Sequence, residues 1–224
     1  YNEHAAAFAA EGWRVEETGR LEALAGADAA TVVNPNNPDG RRVAPEDLLA
    51  LLERVGLLIV DESFVDVDPA LSLCGAADRP GLVVLRSFGK FHGLAGLRLG
   101  FAIGAEAEIA ALAALEGPWA VSGPALAIGA TALADARWAE AARARLAAGA
   151  ARLDRLAEGA GWRVAGGCDL FRLYDAGDAA AARDRLAQAR IWSRIFPWSD
   201  RLVRLGLPGD EVEWARLTAA LDRR

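Results

Sequence analysis

The stretch VVLRSFGKFHGLAGLRLGFAIG, residues 83–104, places one lysine in a glycine-rich loop between two strand-like apolar segments. Lys90 lies near the centre of this loop, and Arg98 follows it further along. The surrounding small and apolar residues predict a buried loop, where a lysine is unfavourable unless another group takes up its charge or its amine does chemistry. The stretch therefore predicts a sheet that delivers a functional lysine to a loop.

The segments around this loop predict a mostly parallel sheet. Four apolar segments alternate with turn or helical sequence: ATVVN (30–34), GLLIVDE (56–62), GLVVLRS (81–87) and RLGFAIG (98–104). Unbroken apolar strands are typical of parallel sheets that helices cover on both faces. We therefore expect a three-layer α/β fold whose ligand lies where the strands end and the loops begin. The segment WRVEE, residues 13–17, predicts one further short strand.

The pattern of helices and strands predicts two domains, residues 1–140 and residues 141–224. Helical sequence dominates from Ala105 to Gly159, and the remainder of the chain alternates short strands with two helices. We expect a large domain that carries the parallel sheet, followed by a small C-terminal α+β domain.

Composition limits the classes of protein to which the chain can belong. With 224 residues, 53% of them hydrophobic, it can bury a sizeable core. The formal net charge of −6 gives no general attraction to nucleic acid or to an anionic membrane, and no apolar run is long enough to span a bilayer. Cys74 and Cys168 lack the spacing of a metal site, so we expect no metal and a cytoplasmic protein with reduced thiols. The sequence has no methionine and starts as if mid-protein, which predicts a preceding segment.

Polar side chains follow several of the apolar segments at the points where the strands end. They are Asn37, Asp61, Ser87, Lys90 and Arg98. Each has an ordinary structural explanation when taken alone: asparagine suits turns, aspartate often caps helices, and arginine commonly pairs with a carboxylate. Their order and spacing as a set predict one site at the edge of the sheet.

This set resembles the fold-type I pyridoxal-phosphate enzymes, the aspartate-aminotransferase superfamily, over nearly the whole chain. The resemblance implies that Lys90 is the catalytic residue and forms a Schiff base with pyridoxal 5′-phosphate. It also implies that Ser87 and Arg98 hold the cofactor phosphate, that Asp61 pairs with the pyridine nitrogen, and that Asn37 hydrogen-bonds the phenolic oxygen. A neutral amine can attack an aldehyde, a guanidinium matches phosphate oxygens, and a carboxylate keeps the ring nitrogen protonated.

Two arginines near the C-terminus, in IWSRIFPWSDRLVRLGLPG, extend the resemblance to the substrate. Arg204 resembles the residue that clamps the substrate α-carboxylate. Arg194 matches a position that contacts the substrate phosphate in the branch of histidinol-phosphate aminotransferases and threonine-phosphate decarboxylases. A surface salt bridge is the alternative explanation for Arg194.

Four further residues have open roles. Many aminotransferases of the superfamily carry tyrosine where this chain has Phe64, which cannot hydrogen-bond the cofactor and which is equally compatible with simple packing under the ring. His92 is expected to be structural rather than catalytic, because no second titratable group is spaced to work with it. Trp119 lies in a predicted loop and could line a substrate channel, and Tyr1 resembles a tyrosine of a PxYxEH-like segment near the site.

The loop sequences most resemble the threonine-phosphate decarboxylases of cobalamin biosynthesis. The resemblance therefore implies decarboxylation of L-threonine O-3-phosphate to (R)-1-amino-2-propanol O-2-phosphate, in a homodimer without nucleic-acid or membrane partners. Two alternatives stay open: an aminotransferase acting on a substrate such as histidinol phosphate, and the pyridoxal-phosphate-binding domain of a transcription regulator. The expected preceding segment would supply a glycine-rich turn for the phosphate and an aromatic residue stacked on the ring.

Overall fold

A computed structural model describes residues 2–222, which form two compact units. The first unit comprises the described residues up to Asn37 together with Arg42–Ala134, and the second comprises Pro38–Arg41 together with the described residues from Asp135 onwards. The predicted boundary at residue 140 stays a prediction. Tyr1, which the resemblance places near the site, lies outside the described residues. Within residues 2–222, no helix is long and apolar enough to cross a membrane.

The first unit builds a four-stranded sheet from the apolar segments. Its helices and strands are α1 (Asn2–Ala10), β1 (Ala30–Val33), α2 (Pro45–Leu52), β2 (Leu58–Asp61), β3 (Leu82–Ser87), β4 (Gly100–Gly104), α3 (Glu106–Glu116) and α4 (Gly123–Ala134). The strand order is β1-β2-β3-β4; the first three strands are parallel, and β4 pairs antiparallel with β3. The predicted α/β class with a mostly parallel sheet is confirmed.

The strand predicted for residues 13–17 is wrong. The structure has no strand there, and Trp13 and Val15 are 47% and 39% exposed. A strand is stabilised by burying one face against a core, and this segment has no such face. Trp13 instead packs edge-on against Phe8 at the end of α1, with ring centroids 5.7 Å apart.

The core of the first unit lies between α2 and the parallel strands. Leu58, Val60, Leu82 and Val84 are fully buried and belong to one cluster with Leu48 of α2. Burial of each such side chain contributes roughly 2 kcal/mol to folding. The helix starts at a proline, whose fixed φ suits a first helical turn, and two acidic residues follow there.

The second unit is an antiparallel sheet with helices. Its elements are α5 (Ala136–Gly159), β5 (Arg163–Cys168), β6 (Phe171–Asp175), α6 (Ala179–Gln188), β7 (Arg194–Phe196), β8 (Ser199–Gly206) and α7 (Glu211–Asp222), with strand order β5-β6-β8-β7. The strands and helices predicted for this part of the chain are confirmed. Its core contains the fully buried Tyr174, whose hydroxyl donates a 2.7 Å hydrogen bond to Asp154 of α5.

Candidate active site

The carboxyl ends of the three parallel strands bring predicted site residues to one edge of the sheet. Asp61 is the last residue of β2, and Ser87 is the last residue of β3. Val33, at the end of β1, pairs in register with Asp61, and the chain continues from Val33 to Asn37. Since parallel strands end on the same side, these side chains gather in one place, as ligand-binding residues do in open α/β sheets.

A buried amide holds the base of the turn that carries Asn37. Asn34 is fully buried; its Nδ2 donates to the carbonyl oxygen of Val43 at 2.9 Å, and its Oδ1 accepts from the Val43 amide at 3.0 Å. The two ends of the turn are therefore closed by one side chain, which limits how far Asn37 can move relative to β1.

The loop between β3 and β4 presents Lys90 and Arg98. Its ends are joined by a hydrogen bond from the Phe88 amide to the Leu99 carbonyl oxygen at 3.2 Å. Arg98 adopts a left-handed backbone conformation, with φ 54° and ψ 39°, which is uncommon for a residue other than glycine. Such conformations persist where the surroundings impose them, often at functional sites.

These elements enclose a cavity of about 340 Å³. Its walls contain all five predicted cofactor-binding residues: Asn37, Asp61, Ser87, Lys90 and Arg98. The size lies within the range of small-molecule sites. One expectation is wrong: the sequence predicts a buried Lys90, but this residue is exposed, because its loop lies at the edge of the sheet, where Lys90 lines the open cavity.

Asp61 is the buried anion of the cavity, and His4 is its partner. His4 Nε2 lies 2.8 Å from Asp61 Oδ2, and the Ser63 amide donates to Asp61 Oδ1 at 2.9 Å. Burial alone raises the pKa of Asp61, but the hydrogen bonds from His4 and Ser63 outweigh it and hold this pKa below its ordinary value. Asp61 is therefore a carboxylate held in its charged form.

Sequence reasoning missed His4. A histidine in α1 that contacts a residue 57 positions away leaves no local motif to detect. The available signal was the segment YNEH itself, whose first residue resembles a tyrosine near the site. His4 is not among the described residues that line the cavity, so it acts on the site through Asp61.

Phe64 forms part of the cavity wall beneath Lys90. Its ring is 9% exposed, and its centroid lies 5.8 Å from Lys90 Nζ. A cation at this distance from an aromatic face is favoured electrostatically. The ring carries no hydroxyl, so it gives the cavity an apolar surface where a tyrosine would give a donor.

His92 and Trp119 have no place in the cavity wall of the described residues. The His92 ring stacks on Phe88 with centroids 4.3 Å apart and an interplanar angle of 7°. Burial lowers the pKa of His92, the negative Asp66 raises it, and Arg86 lowers it further, with a net decrease. Trp119 is 94% exposed. The structural role expected for His92 agrees with this packing.

Behind the cavity, the residues next to Asp61 and Ser87 form a buried ionic cluster. Glu62 is fully buried; it accepts hydrogen bonds from the Ser72 hydroxyl at 2.7 Å and from the Leu73 amide at 2.6 Å. Arg86 Nη1 lies 3.6 Å from Glu62, and Arg86 Nη2 bonds Asp66. The cluster links the end of β2 to β3. Glu62 and Arg86 are the sequence neighbours of Asp61 and Ser87, whose side chains line the cavity.

The second unit places Arg194 and Arg204 side by side. They are directly paired on β7 and β8, so their side chains leave the same face of the sheet. Burial lowers the pKa of the half-buried Arg204, and the neighbouring Arg194 lowers it further. Two like charges directly opposite each other on a sheet repel, and a bound anion would relieve this repulsion. The two guanidinium groups therefore form a surface suited to anions.

The donor set of the cavity fits pyridoxal 5′-phosphate. An amine, a guanidinium, a hydroxyl, an amide and a charged carboxylate line the same space. They match an aldehyde, a phosphate, a phenolic oxygen and a pyridine nitrogen in type.

Comparison with known proteins gives concordant findings. A profile of the family "Aminotransferase class I and II" matches residues 7–221. A threonine-phosphate decarboxylase of Pseudomonas aeruginosa is 47% identical over 99% of this chain and 69% of its own length. A threonine-phosphate decarboxylase of a Sinorhizobium species is 43% identical over 100% of this chain and 68% of its own.

A solved structure extends the comparison to the fold. The histidinol-phosphate aminotransferase from Sinorhizobium meliloti in complex with pyridoxal-5′-phosphate superposes with a TM-score of 0.88 at 26% identity. The alignment covers 99% of this chain and 67% of that one.

Proposed function

This chain belongs to the class I and II aminotransferase family, and from that premise we propose that it is a pyridoxal-phosphate-dependent decarboxylase of L-threonine O-3-phosphate. Family membership confirms the predicted superfamily, the predicted cofactor and an enzyme of lyase or aminotransferase type. The observation that carries the proposal is the identity of 47% and 43% to two threonine-phosphate decarboxylases. The product is (R)-1-amino-2-propanol O-2-phosphate, for cobalamin biosynthesis.

Each cavity residue has a distinct role in this proposal. Lys90 Nζ would bind the aldehyde carbon of the cofactor, Ser87 and Arg98 would bind its phosphate, and Asn37 would donate a hydrogen bond to its phenolic oxygen. These roles are supported by the placement of all four side chains in one cavity wall. The bound cofactor supplies an acceptor for the electron pair left when a bond to the substrate Cα breaks.

Asp61 and His4 would act together on the pyridine nitrogen of the cofactor. The low pKa of Asp61 keeps the carboxylate charged, and a charged carboxylate stabilises a proton on the pyridine nitrogen. His4 fixes one carboxylate oxygen and the Ser63 amide fixes the other, so the carboxylate has a single orientation. His4 is a positioning residue in this scheme.

The paired arginines bind the two anionic groups of the substrate. Arg204 holds the α-carboxylate and Arg194 the phosphate ester, a division supported by two adjacent cations on one sheet face. Decarboxylation breaks the bond between Cα and the carboxylate carbon, carbon dioxide leaves without the electron pair, and a proton takes its place at Cα. With the cofactor bound, Lys90 Nζ would deliver that proton to Cα.

An aminotransferase of a phosphorylated amino acid is the second candidate. The TM-score of 0.88 to a histidinol-phosphate aminotransferase favours it. The same residues would serve both reactions, which differ in whether the bond from Cα to the carboxylate or the bond from Cα to hydrogen breaks. Phe64 favours decarboxylation, because the cavity lacks the hydroxyl that many aminotransferases carry there.

The test is a product assay on the full-length protein loaded with pyridoxal 5′-phosphate. With L-threonine O-3-phosphate we expect stoichiometric carbon dioxide and a new phosphate-ester signal in ³¹P NMR. L-Threonine should be a poor substrate, and Arg194→Ala should raise KM for the phosphorylated substrate at least about tenfold, since a charge-assisted bond is lost. Accumulation of pyridoxamine phosphate without carbon dioxide would replace the decarboxylase with the aminotransferase.

The covalent role of Lys90 has its own test. Lys90 is the only lysine among these 224 residues, so borohydride reduction of the loaded protein followed by peptide mapping should place the cofactor adduct on a single tryptic site. Lys90→Ala should retain no adduct. An adduct elsewhere would remove the basis of the proposal.

We also propose a cytoplasmic homodimer in which the two units serve as a large cofactor domain and a small C-terminal domain. Both cysteines are free thiols, which suits a reducing compartment. Exposed apolar side chains on α3 and α4, Leu115 at 85%, Leu126 at 55% and Leu133 at 60%, support a protein surface that another chain covers. Light scattering of the full-length protein tests the dimer.

A further inference from the structure

The chain leaves the first unit directly after Asn37. Residues Pro38–Arg41 belong to the second unit, and the chain returns to the first unit at Arg42. We propose that Gly40, Gly166 and Gly167, here called the glycine seat, position Asn37 by fixing the loop that follows it to the sheet of the second unit. The proposal rests on the proposed role of Asn37 toward the cofactor.

The seat is a direct contact between two backbones. The Gly167 amide donates a 2.7 Å hydrogen bond to the Asp39 carbonyl oxygen. A Cβ added at Gly40 would overlap the carbonyl oxygen of Gly167, and one added at Gly166 would overlap the carbonyl oxygen of Asp39. Only glycine permits this approach, so the three residues act as one interlocking surface.

The backbone conformation also requires glycine. The φ angles are +69° at Gly40, +151° at Gly166 and +116° at Gly167, all in the range that other residues avoid. Gly166 lies at a register shift of β5 against β6, and such irregularities bend a strand locally. Both the close backbone contacts and the positive φ angles therefore require glycine at positions 40, 166 and 167.

Asn37 lies between two fixed points. On one side, Asn34 closes the base of the turn through its two hydrogen bonds to Val43. On the other, Pro38 follows Asn37 directly, and proline disfavours helical backbone in the residue before it. The segment held by the seat therefore begins one peptide bond after Asn37.

The seat belongs to the strands that carry the paired arginines. Gly166 pairs with Leu173 on β6, Leu173 pairs with Arg204 on β8, and Arg204 pairs with Arg194 on β7. One row of paired residues therefore runs from the seat to both predicted substrate-binding side chains. The loop after Asn37 is anchored at the end of this row.

The test compares Gly40→Ala and Gly166→Ala with two matched glycine variants. Gly177→Ala introduces a side chain at φ +80° with nothing within 4 Å, and Gly206→Ala introduces one into β8 with nothing within 4 Å. The first control separates strain in φ from loss of the contact. The second reports the effect of an extra methyl group in the same sheet.

Two readouts on the full-length protein decide the proposal. In the apoprotein, Gly40→Ala and Gly166→Ala should increase hydrogen exchange of the Gly167 amide by roughly tenfold or more and move the NMR signal of Asn37. Both controls should leave these signals as in the wild type. In the loaded protein, the pH midpoint of the visible cofactor band should rise by roughly 0.5–1 pH unit, as expected for loss of one hydrogen bond to the phenolic oxygen.

The comparison variant is Asn37→Ala. It should raise the same midpoint, and Asn37→Ala combined with Gly40→Ala should add no further shift if the seat acts through Asn37. An unmoved Asn37 signal in folded Gly40→Ala apoprotein, or additive shifts in the double variant, would overturn the seat. A wild-type protein that develops no visible band with pyridoxal 5′-phosphate would instead overturn the proposed function, and the apoprotein readout would still decide the seat.

Discussion

The imidazole of His4 and the carboxylate of Asp61 are joined by a 2.8 Å hydrogen bond that connects the first helix to the end of β2. The side chains are 22% and 8% exposed, so the bond is largely shielded from water. A shielded bond to a charged group is worth more than a neutral one at the surface. Asp61 thus owes both its charge and its orientation in part to a residue outside the cavity.

We expect His4→Ala to weaken pyridoxal 5′-phosphate binding by roughly tenfold, because loss of the donor raises the pKa of Asp61 and frees its rotation. Titration of the apoprotein with cofactor, followed by absorbance, measures this. His4→Gln retains a donor and should stay within about threefold of the wild type. Equal affinities of His4→Ala and the wild type would show that Asp61 needs no partner.

Asp61 also predicts how stability depends on pH. Its folded pKa lies below the ordinary value of 3.8, so its stabilising contribution is present above that value and is lost as pH falls through the folded pKa. Asp61→Asn should lower the free energy of unfolding at neutral pH and flatten its decrease in acid. Urea unfolding between pH 2.5 and 7 measures both effects. Asn37→Ala, in the same cavity wall but without a titrating group, should keep the shape of the wild-type profile.

The buried cluster of Glu62 and Arg86 makes a prediction about folding. Arg86→Met leaves a fully buried carboxylate without its cation, so we expect a loss of about 3 kcal/mol in the free energy of unfolding. The double variant Arg86→Met with Glu62→Gln removes the isolated charge and should be less destabilised than the single one. Arg183→Ala, which breaks an exposed pair with Asp184, should change stability by no more than about 0.5 kcal/mol. Equal losses in the single and double variants would argue against a charge effect.

Phe64 predicts the balance between the two candidate reactions. Phe64→Tyr introduces a hydroxyl into the cavity wall that can donate to the phenolic oxygen of the cofactor. We therefore expect a lower pH midpoint of the visible band and more pyridoxamine phosphate per carbon dioxide released. Spectral titration measures the midpoint, and product analysis measures the ratio of pyridoxamine phosphate to carbon dioxide. Phe64→Leu keeps the position apolar, so it should neither lower the midpoint nor raise this ratio. An unchanged midpoint in Phe64→Tyr would show that position 64 only packs.

The sequence contains the information that brings the cavity residues together, because their positions follow from strand ends. Asp61 and Ser87 end apolar runs, and the ends of parallel strands must meet at one edge whatever the surrounding loops do. Lys90 and Arg98 lie in the loop that joins β3 to the antiparallel strand β4. These features depend on local pattern alone, so a single sequence contains them.

The features that sequence reasoning missed depend on contacts between distant residues. The exposure of Lys90 depends on where its loop lies relative to the sheet, and apolar neighbours in sequence do not report it. His4 reaches Asp61 only after α1 has packed. WRVEE has the composition of a strand but pairs with no other strand in the structure. Whether a neighbouring strand is available depends on the tertiary fold, which the local sequence does not show. The glycines of the seat are likewise ordinary in sequence, and their role is visible only where two backbones touch.

The excursion of Pro38–Arg41 into the second unit bears on how this protein can be divided. A break engineered between Ala134 and Asp135 separates the units everywhere except at these four residues, which would remain on the N-terminal piece. The C-terminal fragment would then lack the segment that contacts Gly166 and Gly167. When the two fragments are mixed, the contact of the glycine seat would have to form again before Asn37 could be correctly placed. Split reporters and domain grafts based on this scaffold should therefore carry the tetrapeptide PDGR, residues 38–41, together with the C-terminal half.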